Sequence, residues 1–596
     1  MGSPSFGNFG PLIGVVYVSS THCRFLIYST KNAEVLTFHE LKLRQIVHNA
    51  GWLEYDPMEI WKSTQECIET AYKNLIILEI NPYDLVAISI CSQRGTTFLW
   101  DKDTGNPLCN AVGWNDCRTS SILKTVLDNV NYDVDYLRHK TGLPLSTCFS
   151  ALKIRWLQEN IPAVSEALED GTCLFGTLDS WILWNLTGSN ISGVHMTDIT
   201  NAGYTSLMNI HTHQWDAKIC QFFRIPMEIL PRIRSNSELY GYVIGGSLNG
   251  LPIAACIGDQ SAALLGQLQT KVGQNACIID DSCFVLLNTG EELIHSSNGL
   301  LSMVAYKLGP KVPAYYSLEG AISNAGATVG WLKQGLRIST EINANDNAVE
   351  VLNTFLGESS MISSSCSSGM LNADCGLAAK RSEITFVPAF HGLYAPYWRY
   401  DARGVLLGLT SQTTAENVTQ AAYEATGFQI HEVLAAFKRD TPTWNRKSYK
   451  ERIIFCGDYA ENNAFVQYIA DIVGCLLERP QTTSPACLGA MICAGITMNV
   501  VSLLQAEVMY PPPVDAFSPT TTANRREQLY KRWNYAVRKC LNWNNFATYE
   551  EDLELFAQRD SDPNLPIRRS LPGSIYITSS FLLLLVAKFL QGRNIT

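Results

Sequence analysis

The sequence lacks the patterns that mark secreted, lipid-modified and zinc-binding proteins. Its 18 cysteines include no CxxC pair, and without paired spacing a zinc site is not expected. The first ten residues, MGSPSFGNFG, contain no basic segment followed by an apolar core, so no secretory signal is expected. The residue at position 6 is a phenylalanine, which breaks the myristoylation pattern. We therefore expect a cytoplasmic protein whose thiols are reduced and mostly buried.

Positive charge is also scarce. The chain has 45 Lys and Arg residues against 55 Asp and Glu residues, which gives a net charge of −10. This balance argues against nucleic acid as a general partner. The content of 46% hydrophobic and 17% charged residues is typical of a folded globular protein. A chain of 596 residues is too long for one core, so we expect two large domains and additional segments.

One long apolar run ends in a carboxylate. Residues 251–267 read LPIAACIGDQSAALLGQ, in which residues 252–257 predict a buried strand and residues 261–266 the start of a helix. Asp259 stands at the junction, which faces the ligand crevice in an open α/β sheet. A carboxylate there can accept a proton from a substrate hydroxyl. The alternative is that Asp259 only caps the helix by accepting backbone N–H bonds.

Four stretches resemble segments of glycerol kinase, in the FGGY family of carbohydrate kinases, and they occur in the family's order. They are FGTLDSWILWNLTG (175–188), FRIPMEILPRIRSNSELYG (223–241), GDQSAALLGQ (258–267) and FVPAFHGLYAPYW (386–398). The resemblance covers roughly residues 12–545. It implies an α/β fold with two ribonuclease-H-like, actin-like ATPase domains around a central cleft. Residues 12–268 would be the substrate and catalytic-base domain, and residues 269–545 the nucleotide domain.

The resemblance also implies an activity, which is the phosphorylation of glycerol or a related small polyol to glycerol 3-phosphate with ATP and Mg²⁺. Asp259 would be the catalytic base. The substrate-binding residues carried over from the family are Arg24, Arg94, Trp114, Cys148, Asp259 and Gln260. The nucleotide-binding residues are Ser20, Thr21, Asp281, Gly326, Gly457 and Asn462. No residue is assigned as a metal ligand.

Several of these positions depart from the family pattern. Tyr17 replaces the aspartate that holds hydrated Mg²⁺ in the family, Gly95 replaces a glutamate, and Cys148 replaces a tyrosine that binds substrate. Asp280, Asp281 and Ser282 replace a Gly-Thr-Gly turn around the phosphates. The full set of altered positions is Tyr17, Ser19, Gly95, Cys148, Asp280, Asp281, Ser282 and Asp458. The new aspartates would either repel a polyphosphate or recruit a cation.

Two hypotheses follow for the function. The first is an ATP-dependent glycerol kinase with activity weakened or lost. The second is a catalytically inactive relative that acts as a scaffold or regulatory protein, as a homo-oligomer or paired with an active glycerol kinase. Lys153 and Arg155 follow Cys148 on a predicted helix, and we expect them on its solvated face.

The carboxyl-terminal region differs from the rest. Residues 546–574 are acidic and contain prolines, which predicts a linker. Residues 575–590, IYITSSFLLLLVAKFL, are apolar apart from Lys588. This run is shorter than the roughly 20 residues of a full membrane span. It predicts either an anchor in the mitochondrial outer membrane or a helix that packs on the body of the protein.

Overall fold

The computed structural model describes residues 6–337, 384–442, 452–481, 484–511 and 514–543. The predicted linker (546–574) and apolar tail (575–590) lie outside these ranges. The chain up to Leu541 forms one compact unit, to which the following description applies.

The amino-terminal half is built on a six-stranded sheet whose order is β5-β6-β4-β1-β2-β3. Its strands are β1 (Leu12–Val18), β2 (His22–Ser29), β3 (Val35–Lys42), β4 (Leu85–Ser92), β5 (Ser237–Tyr242) and β6 (Pro252–Gly258). Strands β1, β4 and β6 run parallel, and the other neighbouring pairs are antiparallel. The parallel strands are almost continuously apolar because both faces of the sheet are covered.

The carboxyl-terminal half contains a seven-stranded sheet whose order is β9-β10-β8-β7-β11-β12-β13. Its strands are β7 (Asn275–Ile279), β8 (Cys283–Gly290), β9 (Leu301–Tyr306), β10 (Tyr315–Ile322), β11 (Arg452–Cys456), β12 (Leu476–Pro480) and β13 (Val514–Phe517). The series β10-β8-β7-β11-β12 has the same order and strand directions as β3-β2-β1-β4-β6. The two halves therefore repeat one α/β architecture, as expected from the sequence.

Helices flank both sheets. The labelled helices are α1 (Pro57–Ile77), α2 (Ser150–Asn160), α3 (Asp259–Gly266), α4 (Gly326–Gln334), α5 (Ala415–Asp440), α6 (Asn463–Val473), α7 (Pro485–Thr497) and α8 (Ala523–Lys539). Other helices are Ser120–Asn129, Arg138–Thr141, Pro162–Glu169, Leu178–Leu186, Ser189–Ser192, Ile199–Gly203, Ala217–Phe223 and Leu503–Met509. Short 3₁₀ turns occur at Pro82–Asp84, Met227–Ile229 and Asp458–Glu461.

Five two-stranded pairs complete the described secondary structure. They are Glu54–Tyr55 with Ala111–Val112, Phe98–Asp101 with Cys173–Gly176, Met196–Asp198 with Arg232–Arg234, Met208–Asn209 with Gln214–Trp215, and Thr385–Val387 with Val405–Leu407. Within the described ranges, no helix is both long and apolar enough to cross a lipid bilayer.

Helices α3 and α7 cross in backbone contact, one from each half of the chain. A Cβ atom added to Gly266 would overlap the carbonyl oxygen of Pro485, and one added to Gly489 would overlap that of Ala262. Glycine is required at both positions because only the absence of a side chain permits this approach. The crossing joins the two halves directly behind the junction of β6 and α3.

The local predictions are largely confirmed. Strand β6 leads directly into α3, as residues 251–267 predict, and β1 and β2 form a hairpin. The helix begins at Asp259, two residues earlier than the sequence suggested. The preceding residue, Gly258, is extended with φ −68° and ψ 144°. Among the described cysteines all are free, and only Cys109 and Cys117 are not buried.

Candidate active site

A cleft of about 730 Å³ lies between the two sheets, lined from both halves of the chain. A smaller cavity of about 110 Å³ shares part of its wall. The cleft brings together most of the residues singled out from the sequence: Ser20, Thr21, Arg24, Arg94, Trp114, Asp259, Gln260 and Asp281. Gly457 lines the smaller cavity. Cys148, Gly326 and Asn462 are buried and are absent from both linings.

Asp259 is the first residue of α3 and lines both cavities. Its Oδ1 atom accepts a hydrogen bond from the backbone N–H of Gln260 at 2.8 Å, and Gly258 is the N-cap residue. Burial raises the pKa of this carboxyl group to about 6, although Arg94 opposes the shift. A partly exposed carboxylate with this pKa is ionised at neutral pH and can accept a proton.

Arg94 follows β4 and is fully buried beside Asp259. Its guanidinium donates two hydrogen bonds to the carboxylate of Glu319, at 2.7 and 3.0 Å, and Glu319 lies on β10 of the other half. The Nε atom of Arg94 is 3.9 Å from Oδ1 of Asp259. Gly258 allows this placement, because a Cβ atom there would lie 2.7 Å from Cγ and Cδ of Arg94. Glu319 is 225 residues from Arg94 along the chain, and no local pattern indicated its role.

Several cleft-lining side chains carry a buried polar atom without a hydrogen-bond partner among the described residues, and two of these atoms belong to the residues beside Asp259. They are Nε of Arg94, a donor, and Oε1 of Gln260, an acceptor. Buried polar groups are normally satisfied in folded proteins. A bound molecule that carries hydroxyl groups would supply the missing partner to both.

Tyr204 occupies the space that Gly95 leaves open. A Cβ atom on Gly95 would lie 3.0 Å from Cδ1 of Tyr204, and Gly95 has a φ of +79°. The Cζ atom of the Arg94 guanidinium lies over the ring of Tyr204, 4.6 Å from the ring centroid. Tyr204 therefore packs against both Gly95 and Arg94, and its ring forms part of the cleft wall.

Lys153 is fully buried, so the expectation that it lies on a solvated face of α2 is wrong. Its Nζ atom donates hydrogen bonds to the carbonyl oxygens of Gly95, Trp114 and Cys148, at 2.9, 2.9 and 2.7 Å. Burial lowers the pKa of Lys153 to about 7. The three acceptors match the three N–H bonds of an ammonium group, and Lys153 fixes three segments of the substrate side at once.

Cys148 does not line the cleft, and its Sγ atom lies 3.2 Å from Oγ of Ser146. Trp114 lines the cleft and packs on Phe284, with ring centroids 5.6 Å apart. Asp116 and Arg118, which follow Trp114 in the chain, pair through hydrogen bonds of 2.8 and 2.9 Å. These contacts support the aromatic wall without reaching the cleft themselves.

The hairpin turn between β1 and β2 forms the floor of the cleft. Oγ of Ser20 donates to Oε1 of Gln93 at 2.8 Å, and Oγ1 of Thr21 is 2.8 Å from Nδ1 of His22. Arg24 is paired with Glu40 on β3. Burial raises the pKa of the Tyr17 phenol well above its usual value, so this side chain carries no charge at neutral pH.

The opposite wall is acidic. Asp280, Asp281 and Asp458 line the cleft together, and the backbone N–H of Asp458 donates to Oδ1 of Asp280 at 2.8 Å. Burial, and then the charge of Asp458, raises the pKa of Asp280 to about 7, and the same causes raise that of Asp281. The Asp280 carboxyl group therefore accepts the hydrogen bond of the Asp458 amide, and three aspartates lie together along this wall.

The glycines of this wall are closely packed. A Cβ atom at Gly326 would overlap the ring of Tyr459 and the carbonyl oxygen of Asp280. Gly457 has a φ of +108°, which favours glycine, and a Cβ atom there would overlap the carbonyl oxygen of Ile279. Asn462 caps α6, with its Oδ1 accepting from the N–H of Phe465 at 2.9 Å.

Comparison with known proteins gives a consistent result. The family model described as the FGGY family of carbohydrate kinases, N-terminal domain, matches residues 13–266, and the corresponding C-terminal domain matches residues 275–498. A probable glycerol kinase of Dictyostelium discoideum is 36% identical over 572 residues, covering 89% of this chain and 99% of that protein. A glycerol kinase of Brucella anthropi is 36% identical over 531 residues, with the same coverage of both chains.

The similarity extends to a solved structure. The crystal structure of Plasmodium falciparum glycerol kinase with ADP superimposes with a TM-score of 0.72 and 30% sequence identity. The match covers 90% of this chain and 99% of that chain.

Proposed function

The chain belongs to the FGGY family of carbohydrate kinases, and on this premise we propose that it transfers a phosphoryl group from ATP to a terminal hydroxyl of glycerol. The observation that carries the proposal is the Asp259 carboxylate, which lines the cleft next to Arg94 with a pKa of about 6. Relatives that cover the chain almost end to end are named glycerol kinases.

Each residue of the substrate side has a role in this proposal. Asp259 accepts the proton of the attacking hydroxyl, which makes the oxygen a better nucleophile. Oε1 of Gln260 and Nε of Arg94 bind the remaining hydroxyls, because both are buried without another partner among the described residues. Trp114 and Phe284 pack against the carbon backbone of the substrate. Lys153 is a positioning residue that keeps the main chain of Gly95 and Trp114 in place.

We assign the nucleotide to the side of the cleft formed by residues 269–545. ATP supplies the phosphoryl group, and Mg²⁺ offsets its negative charge. Carboxylate oxygens are the ligands that Mg²⁺ prefers, so the donor chemistry of Asp280 and Asp281 fits the ion better than it fits the phosphates. We therefore propose that nucleotide binding is weaker than in relatives with a Gly-Thr-Gly turn.

The test is formation of glycerol 3-phosphate by the purified chain with ATP, Mg²⁺ and glycerol. The Asp259→Asn variant should lose activity, whereas Asp103→Asn, an exposed aspartate outside the cleft, should retain it. Equal product from the wild type and Asp259→Asn would exclude Asp259 as the base.

A second candidate function is a scaffold that binds a partner, such as an active kinase or another copy of the chain, without catalysis. The observation in its favour is the acidic wall of Asp280, Asp281 and Asp458, which faces the position of the phosphates. Melting curves recorded with increasing ATP distinguish the two candidates. A shift of several degrees at millimolar ATP supports the kinase, because ligand binding to the folded state raises its stability. No shift supports the scaffold.

We propose further that residues 575–590 attach the protein to the mitochondrial outer membrane, which the apolar run and its basic flanks support. A fluorescent fusion of residues 562–596 should then co-localise with mitochondria in cells. A diffuse cytosolic signal would contradict the anchor.

A further inference from the structure

Three histidines that are far apart in the sequence converge on the surface of the protein. His139 lies in the helix Arg138–Thr141, His211 in the turn between Met208–Asn209 and Gln214–Trp215, and His295 between β8 and β9. Their ring centroids are 5.0 to 5.2 Å apart, and their potential ligand nitrogens all lie within 4.8 Å of one another. We propose that His139, His211 and His295 form a binding site for a divalent transition-metal ion, of which Zn²⁺ is the representative.

The hydrogen bonds of the cluster leave ring nitrogens available for a metal. Nε2 of His211 lies 2.9 Å from the carbonyl oxygen of His139. A carbonyl oxygen can only accept, so Nε2 of His211 carries the proton and its Nδ1 atom has a free lone pair. A hydrogen bond of this kind is what orients most metal-binding histidines. Nδ1 of His295 is buried and has no hydrogen-bond partner among the described residues, so a metal ion would satisfy it.

The backbone around the three rings is held in place before any ion binds. The N–H of Ile210 donates to the carbonyl oxygen of Lys140 at 2.8 Å, which joins the first two histidine segments. Two further hydrogen bonds join these segments to the third histidine segment. Arg138 donates to the carbonyl oxygen of Leu300, and the N–H of Ser302 donates to the carbonyl oxygen of Gly142 at 2.9 Å. Tetrahedral Zn²⁺ with Zn–N bonds of about 2.0–2.1 Å needs ligand nitrogens about 3.3 Å apart. The ligand nitrogens, which now lie within 4.8 Å of one another, would move closer by side-chain rotation when the ion binds.

The charges near the site are compatible with a bound cation. Arg138 is the adjacent cation, and its Nε atom is paired with Asp135 at 2.6 Å. His139 and His211 are exposed, which gives an ion access from solvent.

The donor set determines which ions fit. Three imidazoles and no carboxylate favour Zn²⁺, Ni²⁺, Cu²⁺ or Co²⁺ over Mg²⁺ and Ca²⁺, which require oxygen ligands. The site is therefore distinct from any Mg²⁺ position in the cleft. His139 and His211 belong to the amino-terminal domain match and His295 to the carboxyl-terminal one, so a bound ion would connect the two domains.

The experiment is calorimetric titration of Zn²⁺ into the full chain, from which any polyhistidine tag has been removed and which has been stripped with EDTA. We expect one site per chain and a rise in melting temperature. Single variants His139→Gln, His211→Gln and His295→Gln should each weaken binding at least tenfold. The control His48→Gln, at an exposed histidine outside the cluster, should leave Zn²⁺ binding unchanged.

Titration with Co²⁺ identifies the ligands independently. The free cysteines could also bind these metals, and thiolate ligation would give an intense near-ultraviolet charge-transfer band that imidazole ligation lacks. We expect visible d–d bands without the thiolate band. The proposal is overturned if the triple variant, with an unchanged circular dichroism spectrum, binds Zn²⁺ as the wild type does, or if the wild type binds none.

Discussion

At the scale of single residues, Asp259 combines the two properties that a catalytic base needs, access to the cleft and a raised pKa. Its pKa of about 6 means that the carboxylate is the main form above this pH and is lost as the pH falls through it. Because only the ionised form accepts a proton, kcat/KM for glycerol should rise with pH along a limb centred near 6. The measurement is the pH profile between 5 and 8. A flat profile would mean that another group takes the proton.

Removal of the acidic residues next to the phosphate position should improve nucleotide binding. In the double variant Asp280→Gly and Asp281→Thr, the Asp458 amide is released and two like charges are removed. Each like charge at 4 Å costs on the order of 1 to 4 kcal/mol, so we expect ATP to bind at least tenfold more tightly. The control Asp103→Asn, an exposed aspartate, should bind ATP as the wild type does. Weaker binding by the double variant would show instead that these carboxylates hold Mg²⁺.

Lys153 should be essential for the structure of the substrate-binding side of the cleft, although it does not line the cleft. Lys153→Met keeps the length of the side chain but leaves three buried carbonyl oxygens without their donor. A buried acceptor that loses its donor costs about 1–3 kcal/mol. We expect a lower denaturation midpoint in urea and a KM for glycerol that rises more than the KM for ATP. Unchanged stability and KM values would show that these contacts are dispensable.

At the scale of secondary structure elements, the crossing of α3 and α7 is the contact most sensitive to side-chain size. Gly489→Ala should separate the helices, because its Cβ atom overlaps the backbone of Ala262. Forced overpacking costs about 1–3 kcal/mol, so the unfolding free energy should fall by that amount.

Gly330 provides the matched control within helix α4. A Cβ atom there meets no other atom within 4 Å. Gly330→Ala should therefore be neutral or stabilise the protein by about 0.5–1 kcal/mol. Equal changes in unfolding free energy for Gly489→Ala and Gly330→Ala would contradict the close crossing of α3 and α7.

Elements were predictable from the sequence where the signal is local. The β1–β2 hairpin, the β6–α3 junction and the Asp56 N-cap of α1, which accepts from the N–H of Met58 at 2.8 Å, each depend on residues a few positions apart. Helix α2 shows the limit of such reasoning. The sequence around Lys153 is that of a surface helix, and only the distant carbonyls of Gly95 and Trp114 explain its burial.

At the scale of the whole molecule, the two halves meet through contacts that no single stretch encodes. The buried pair of Arg94 and Glu319 joins the segment after β4 to β10 across 225 positions, and the histidine cluster joins three separate segments. The repeated α/β architecture was predictable because long motifs resemble the family. The packing of Tyr204 against Gly95, in contrast, is visible only in the folded structure, where the two residues lie side by side.

The measurement that tests the account most directly is a single-turnover experiment with the chain in excess over γ-labelled ATP, at saturating glycerol and Mg²⁺. Excess protein compensates for weak nucleotide binding and reports the chemical step alone. We predict transfer of the label to glycerol by the wild type and a rate lower by about 10²–10⁴-fold for Asp259→Asn. Absence of labelled glycerol 3-phosphate with the wild type, or equal rates for the two proteins, would contradict a polyol kinase that uses Asp259.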